Sequence, residues 1–212
     1  MYVPKAFAED NPDTLAALMR QASFATLLTS RDGVPLGSHI PLHLDQTGGH
    51  SGGQPGRLLG HLARANDHWR DFDGETEALA IFQGPHAYIS PNWYETPNMV
   101  PTWNYAAVHA YGAPRVIEDA EQTLAILNQL VEANESDATG NWSMQKPDAD
   151  VLRGMLKGIV AFEMPLSRLE GKWKMSQNRK PQDARGAAEG LRQAGGPEAE
   201  VVAAAMEARI EP

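Results

Sequence analysis

The sequence predicts a mainly β fold of the α+β class, an antiparallel barrel with peripheral helices, and three observations support this prediction. Strand-like segments follow one another through short turns. An Asp-Gly pair joins the first two of them, which is a strong signal for a β-hairpin. Most helical segments come late, so strands and helices do not alternate as they do in parallel βαβ folds. A chain of 212 residues with these elements fits one domain.

The first elements are a helix and the hairpin. Asn11-Pro12-Asp13 supplies an N-cap residue, a proline tolerated at the first helical position and an acidic residue for the first turn. These signals predict a helix that ends near residue 22. A strand at 24–30 then leads through Arg31-Asp32-Gly33 into a return strand at 34–44.

The later elements are predicted from the same kinds of periodicity and turn signal. They are a glycine-rich loop at 47–56, a strand at 57–62, a short helix at 66–72, strands at 77–83 and 86–90 around a break at Gly84-Pro85, a strand at 102–117 interrupted near Gly112, helices at 118–134 and 148–156, a strand at 158–164, and one or two terminal helices within 180–210 that break at 195–197.

Composition and charge exclude several classes of protein. The chain has no cysteine, so it has no disulfide, thiolate zinc site or cysteine nucleophile. No apolar run reaches the length of a membrane span, and the first residues lack the features of a secretory signal. We therefore expect a cytoplasmic protein. The net charge of −9 argues against autonomous DNA binding, which depends on lysine and arginine.

Metal and hydrolytic chemistry find little support. The seven histidines show no His-Glu-x-x-His or similar ligand spacing, so no metal site is predicted. Ser38 and His39 are adjacent, but neighbours on a strand point to opposite faces and do not form a catalytic pair. No catalytic residue is assigned, although His39, His86 and His109 are of the type that titrates near neutrality.

Polar aromatic residues, histidines and cationic residues point instead to a planar anionic ligand. Four of the five tryptophans lie in the stretches that carry these residues, mostly between residues 38 and 111. Such a ligand needs apolar surface for its rings and cations such as Arg64 or Lys172 for its phosphate. The alternative is that the tryptophans belong to the core and the basic residues form a solvated rim. The residues alone leave both open.

Four long blocks within these stretches carry a resemblance to a known family. The blocks are Gly60 to Trp69, Gly84 to Pro91, Val100 to Gly112, and Leu169 to Lys174 with Ser176 to Arg179. In this order they resemble the PaiB-like family of FMN-binding proteins, described as negative transcriptional regulators. That family is similar to the pyridoxamine-phosphate-oxidase-like split barrels, which form homodimers and hold FMN between the subunits. The match extends to about Leu191.

The resemblance implies a domain plan and a set of cofactor-binding residues. Residues 1–191 would form the Greek-key-like, FMN-binding split barrel, and residues 192–212 a C-terminal helical tail. His61, Ala63, Arg64 and Asn66 would meet the FMN phosphate, and Ser38, His39 and Ile40 would line the flavin ring. A partner subunit would contribute from Trp103 and Asn104 or from Lys172, Trp173, Lys174 and Gln177.

Three functions follow as hypotheses. The first is a homodimeric FMN protein that is redox-active on a small-molecule substrate, as an FMN-dependent oxidoreductase, or that senses through its flavin. The second is a haem-binding split barrel with a histidine as axial ligand. The third is a DNA-binding repressor whose flavin site is vestigial, although the helices predicted at 119–134 and 148–156 are not basic.

Overall fold

The computed structural model describes residues 1–47 and 55–210, so most of the predicted glycine-rich loop at 47–56 lies outside the described residues. The described helices are α1 (Pro12–Gln21), α2 (Ala120–Asn134), α3 (Ala149–Leu156), α4 (Pro181–Ala194) and α5 (Ala199–Glu207). The described strands are β1 (Ala8–Glu9), β2 (Phe24–Arg31), β3 (Val34–Asp45), β4 (Arg57–Ala63), β5 (Ala78–Ile89), β6 (Thr102–Gly112), β7 (Arg115–Ile117) and β8 (Ile159–Lys174). No helix within these residues is both long and apolar enough to cross a membrane.

The sheet confirms the predicted antiparallel, mainly β fold with peripheral helices. Its strands hydrogen-bond in the order β1-β8-β4-β3-β2-β5-β6, and β6 also pairs with β8. β2 runs antiparallel to β3 and β5, β3 to β4, and both β4 and β7 to β8. The order follows sequence neighbours through β4-β3-β2, as hairpin-connected strands do.

The Asp-Gly hairpin forms as predicted. Arg31 pairs with Val34, which leaves Asp32 and Gly33 as the two turn residues. Their φ angles are 53° and 80°, and positive φ at both positions is what a type I′ turn requires. Asn11 also acts as predicted, because its Oδ1 accepts hydrogen bonds from the backbone N–H groups of Asp13 and Thr14 at the start of α1.

Three boundaries differ from the prediction. The expected break at Gly84-Pro85 is wrong, since β5 runs unbroken from Ala78 to Ile89. Gly84 serves close packing instead, because a Cβ there would lie 2.7 Å from a Leu18 methyl carbon and 3.1 Å from Ala106 Cβ. The segment at 66–72 forms a 3-10 turn, Asp67–Asp71, and β8 continues to Lys174 beyond the predicted end at 164.

The chain groups into two compact units. Unit 1 comprises Met1–Leu18, Gln83–Val108 and Glu170–Pro212, and unit 2 comprises Met19–Phe82 and His109–Leu169. The core of unit 1 includes Ile89, Met175 and Met206, and that of unit 2 includes Leu27, Leu58 and Phe162. The predicted domain boundary after Leu191 falls inside α4, within unit 1, and it stays a prediction.

Candidate functional site

A buried chain of hydrogen bonds fastens the 3-10 turn of unit 2 to the β2–β3 hairpin. Asn66 begins the turn, since its Oδ1 accepts from the His68 N–H at 3.1 Å while its Nδ2 donates to Ser38 Oγ at 3.1 Å. His68 is 5% exposed and lies 2.8 Å from Ser38 Oγ through Nδ1 and 2.9 Å from Thr29 Oγ1 through Nε2. The predicted residues Ser38 and Asn66 are therefore brought together.

The donors and acceptors of this chain run in one direction. Thr29 Oγ1 donates to Asp71 Oδ2 at 2.8 Å, so it accepts from His68 Nε2–H. In a neutral ring with its proton on Nε2, Nδ1 is an acceptor, so Ser38 Oγ donates to His68 Nδ1 while it accepts from Asn66 Nδ2. This arrangement satisfies a neutral imidazole at both nitrogens. Burial lowers the pKa of His68, which favours the same neutral form.

Three residues of this chain, His68, Thr29 and Asp71, were not predicted from the sequence. Their partners lie 30 to 42 residues apart along the chain, and no local spacing reveals such contacts. One local signal was available. Asn66 is a capping residue two positions before His68, and its side chain accepts from the His68 N–H, which fixes the position of that histidine. Asp71 also receives a hydrogen bond from Arg31 Nε at 2.7 Å, which pairs the carboxylate at the far end of the chain.

The two faces of β3 separate the predicted ring-lining residues. Ser38 and Ile40 are buried on the inner face, whereas His39 is exposed on the outer face. His39 Nδ1 lies 3.0 Å from Thr26 Oγ1 across the β2–β3 pair. Phe24, two residues before Thr26 on the same face, is 71% exposed. We call this surface the open hairpin face; its members are Phe24, Thr26, Leu28, Gly37, His39 and Pro41.

Arg64 lies at the end of β4 and is clamped by the backbone. Its Nε donates to the Lys157 carbonyl at 2.9 Å and its Nη2 to the Ile159 carbonyl at 2.8 Å. Ala63 beside it is exposed. His61 is partly buried, its Nδ1 has no hydrogen-bond partner within the described residues, and burial lowers its pKa.

A cavity of about 530 Å³ in unit 2 contains this arginine in its wall, and we call it the cationic cavity. Its lining combines three cationic side chains with apolar and aromatic surface. The lining residues are Arg64, Trp69, Val116, Ile117, Glu118, Ala120, Thr123, Arg153, Leu156, Lys157, Ile159, Val160 and Ala161. Trp69, Arg153 and Lys157 were not predicted, and the last two come from α3 and the residue after it.

The predicted residues of unit 1 also come together, but most are engaged within the fold. Asn104 is fully buried and donates to Ser176 Oγ at 2.9 Å, and Trp173 is 8% exposed. Gln177 Nε2 donates to the Trp173 carbonyl at 2.6 Å, and Lys174 Nζ donates to Thr102 Oγ1 and to the Trp103 carbonyl.

Lys172 and Trp103 complete this group. Lys172 is 7% exposed, and its Nζ donates to the Tyr2 carbonyl at 3.1 Å and lies 5.1 Å from the centre of the Tyr105 ring. Trp103 is 54% exposed, so its indole is open to a ligand or a partner. Burial, helped by Arg179 and Lys172, lowers the pKa of Lys174.

No group of three or more histidine, aspartate or glutamate side chains within residues 1–47 and 55–210 is arranged to hold a metal ion. The candidate site is thus built from cationic, aromatic and amide groups, which suit an organic ligand with an anionic end.

Comparison with known proteins places these features in a family. The family model described as "Putative FMN-binding domain" matches residues 1–168. The chain is 35% identical over 212 residues to protease synthase and sporulation protein PAI 2 of Bacillus subtilis, covering 99% of this chain and 98% of that protein. It is 30% identical over 230 residues to an uncharacterized protein of Emericella nidulans, covering 92% of each.

Solved structures show the same fold at low sequence identity. The flavocytochrome Anf3 of Azotobacter vinelandii has a TM-score of 0.61 at 14% identity, over 81% of this chain and 72% of that one. The FAD and haem binding protein of Mycobacterium smegmatis has a TM-score of 0.55 at 13% identity, over 79% of this chain and 73% of that one.

Proposed function

The chain belongs to the family of FMN-binding domains, with the split-barrel fold, and from that premise we propose that it holds FMN at the interface of a homodimer. The observation that carries the proposal is the cationic cavity at Arg64. Its volume of about 530 Å³ lies in the range of small-molecule sites. Its three cations suit a phosphate, and its apolar wall suits the rest of an aromatic ligand. The residues present therefore fit FMN.

The roles proposed for individual residues follow from this placement. Arg64, with His61, Ala63 and Asn66 beside it, would hold the phosphate end. The clamp on the Lys157 and Ile159 carbonyls uses Nε and Nη2, so the guanidinium is held in place before a ligand arrives. Such preorganisation reduces the entropy lost on binding.

The strand at Ser38, His39 and Ile40 would lie along the flavin ring. Because Ser38 and Ile40 point inward, only their backbone and the His39 side chain are available there. The buried chain through His68 would position this strand relative to the turn that follows Arg64.

A second subunit is proposed because the open hairpin face leaves apolar surface in water. Phe24 on this face is 71% exposed, and Leu28 and Pro41 on the same face are partly exposed. Clustered exposed apolar residues mark interaction surfaces. The partner would contribute Trp103, which is exposed, and groups from Asn104 or from Lys172 to Gln177, which shape its surroundings.

Bound FMN would supply one- or two-electron redox chemistry to a small-molecule substrate or to a sensing role. We propose that any effect on transcription is indirect, because a chain with a net charge of −9 is a poor ligand for phosphate backbones.

The test is an absorption spectrum of the full chain titrated with FMN, together with sedimentation analysis. We expect saturation at one FMN per subunit and a dimer. A haem band in place of flavin bands would favour the alternative cofactor, and no saturable binding of either would overturn the proposal.

The variant Phe24→Asp tests the interface. A charge on the open hairpin face should give a monomer whose FMN affinity falls at least about tenfold, which corresponds to about 1.4 kcal/mol. The matched control is Val201→Asp, since Val201 is a 50% exposed apolar residue on α5. A Phe24→Asp monomer that keeps full FMN affinity would contradict the interface site.

A further inference from the structure

We propose that a second cavity, in unit 1, binds a small organic cation of the arylalkylammonium type. It has a volume of about 620 Å³, and we call it the aromatic cavity. Its lining is rich in rings and carries one carboxylate. The lining residues are His86, Ala87, Tyr88, Ser90, Trp93, Trp103, Leu191, Ala194, Gly195, Gly196, Pro197, Glu198 and Ala199. This inference goes beyond flavin binding, although the cavity shares Trp103 with the proposed flavin site, and the flavin-free chain therefore tests it separately.

Two rings form a corner of the cavity. Tyr88 and Trp103 meet edge to face, with centroids 5.9 Å apart and planes at 75°. The His86 ring lies 6.2 Å from the same indole. Tyr88 is 47% exposed and Trp103 is 54% exposed, so their faces are accessible. Aromatic faces arranged at an angle can contact a cation from two sides, which is how proteins recognise ammonium groups.

A third ring, that of Trp93, is held in place by α4. A Cβ added at Gly190 would lie 2.3 Å from Trp93 Cγ, so the indole rests directly on the helix backbone there. A Cβ at Gly186 would lie 2.4 Å from the Trp93 carbonyl oxygen. These two glycines, one turn apart on α4, let the helix approach the ring. The wall is therefore built before any ligand binds.

The segment after Trp93 is anchored to the same helix. Asp183, which is 2% exposed, accepts hydrogen bonds from the backbone N–H groups of Glu95 and Thr96 at 2.9 Å each. Its other oxygen accepts from Thr96 Oγ1 at 2.6 Å. Charge-assisted bonds of this kind are strong, so the chain that follows Trp93 is held against α4.

The charge of the lining selects the ligand. Glu198 is the one charged residue of fixed sign in the lining, which contains no lysine or arginine. Its Oε2 accepts from the His86 backbone N–H at 2.9 Å and lies 3.1 Å from His86 Nδ1. That hydrogen bond fixes the carboxylate at the cavity while its side chain remains 40% exposed. A phosphate or carboxylate ligand would meet repulsion here, whereas an ammonium group would be attracted to Glu198 and to the rings.

The test is a titration of the full chain, both flavin-free and FMN-loaded, with three probes of one shape. Benzylamine is a cation at neutral pH, benzyl alcohol is neutral and benzoate is an anion. Calorimetry should show benzylamine binding at least about tenfold more tightly than either analogue. Equal affinities for the three probes, or no binding of benzylamine, would overturn the proposal. Because the flavin-free chain is measured, failure of flavin binding does not decide the result.

Two pairs of variants locate the binding. Glu198→Gln keeps an acceptor for the His86 N–H and should weaken benzylamine binding about fivefold to tenfold while leaving benzyl alcohol unchanged. Trp103→Ala should weaken both probes. The controls are Glu189→Gln, an exposed carboxylate on α4, and Trp142→Ala, a 39% exposed tryptophan of unit 2. If the controls weaken benzylamine as much as the cavity variants do, the assignment of the cavity is wrong.

Discussion

The cationic cavity of unit 2 and the aromatic cavity of unit 1 have similar size but opposite electrostatic character. One has a volume of about 530 Å³ and is lined by Arg64, Arg153 and Lys157 against a single Glu118. The other has about 620 Å³ and is lined by four aromatic or imidazole rings and Glu198. Volume therefore says little about the ligand. The charges and rings at the wall decide which ligand each cavity can take.

The two cavities also differ in how the protein holds Arg64 in one wall and Trp93 in the other. Backbone carbonyls fix the Arg64 guanidinium, so hydrogen bonds of a charged group set the position of the cation. Trp93 is fixed by the absence of side chains at Gly186 and Gly190, so close packing sets the position of the ring. Removing the charge of Arg64 should therefore disrupt the first cavity, because hydrogen bonds hold that side chain. Adding volume at the glycines that contact Trp93 should disrupt the second, because close packing holds that ring.

The largest effect is expected from Arg64→Ala in the cationic cavity. Loss of a charge-assisted contact to phosphate should lower FMN affinity by about 1.5–3 kcal/mol, roughly tenfold to a hundredfold. The affinity for riboflavin, which lacks the phosphate, should change little in the same variant. Fluorescence titration with both flavins checks this, with Arg70→Ala as a control because Arg70 is an exposed cation of the neighbouring turn. Equal losses for the two flavins would mean that Arg64 acts only on the fold.

A smaller effect tests the close packing of Trp93 on α4. Alanine substitutions at two helix glycines should change the free energy of unfolding in opposite directions. Gly190→Ala should destabilise the protein by about 1–2 kcal/mol, because overpacking against Trp93 outweighs the gain in helix propensity. Gly154→Ala in α3 meets no atom within 4 Å and should stabilise by up to about 1 kcal/mol. Urea unfolding of both variants measures the difference. Stabilisation by Gly190→Ala would show that Trp93 moves freely.

The smallest effect concerns pH and the buried chain of unit 2. Burial lowers the pKa of His68 in the folded state, while the nearby Asp71 raises it and Arg31 lowers it. The unfolded chain therefore binds the proton more readily, and stability should be full above pH 6.5 and fall as pH drops below it. The Phe72 ring, whose centre lies 5.5 Å from the centre of the His68 ring, carries no charge.

The variant His68→Gln should reduce this pH dependence without abolishing it, because burial also lowers the pKa of His43 and His61. Thermal unfolding at pH 7.5 and at pH 5.5 provides the measurement. If the difference in melting temperature between pH 7.5 and pH 5.5 is the same in the variant, His68 does not contribute to the pH dependence of stability. The lowered pKa values of Asp45 and Asp71 act only in a more acidic range, below the usual carboxylate values.

Local signals predicted most of the elements. The Asp32-Gly33 turn and the Asn11 cap form as expected because both depend on residues within one turn. The prediction of a strand break at Gly84-Pro85 was wrong because it used only local residues. Gly84 is required by close packing against Leu18 and Ala106, which lie far from it in the sequence. The same argument covers His68, whose role depends on Thr29 and Ser38.

The sequence by itself determined the order of the strands and helices, the family and the class of cofactor, because these depend on local patterns and on blocks in fixed order. Only the tertiary structure decided where the charges collect. Arg64 and Lys157 meet at one cavity, and Trp103 and Glu198 at the other, although each pair is separated by more than ninety positions in the sequence. The physical reason is that the charge of a cavity is a property of packed neighbours, whereas a pattern along the chain records only the residues beside each other.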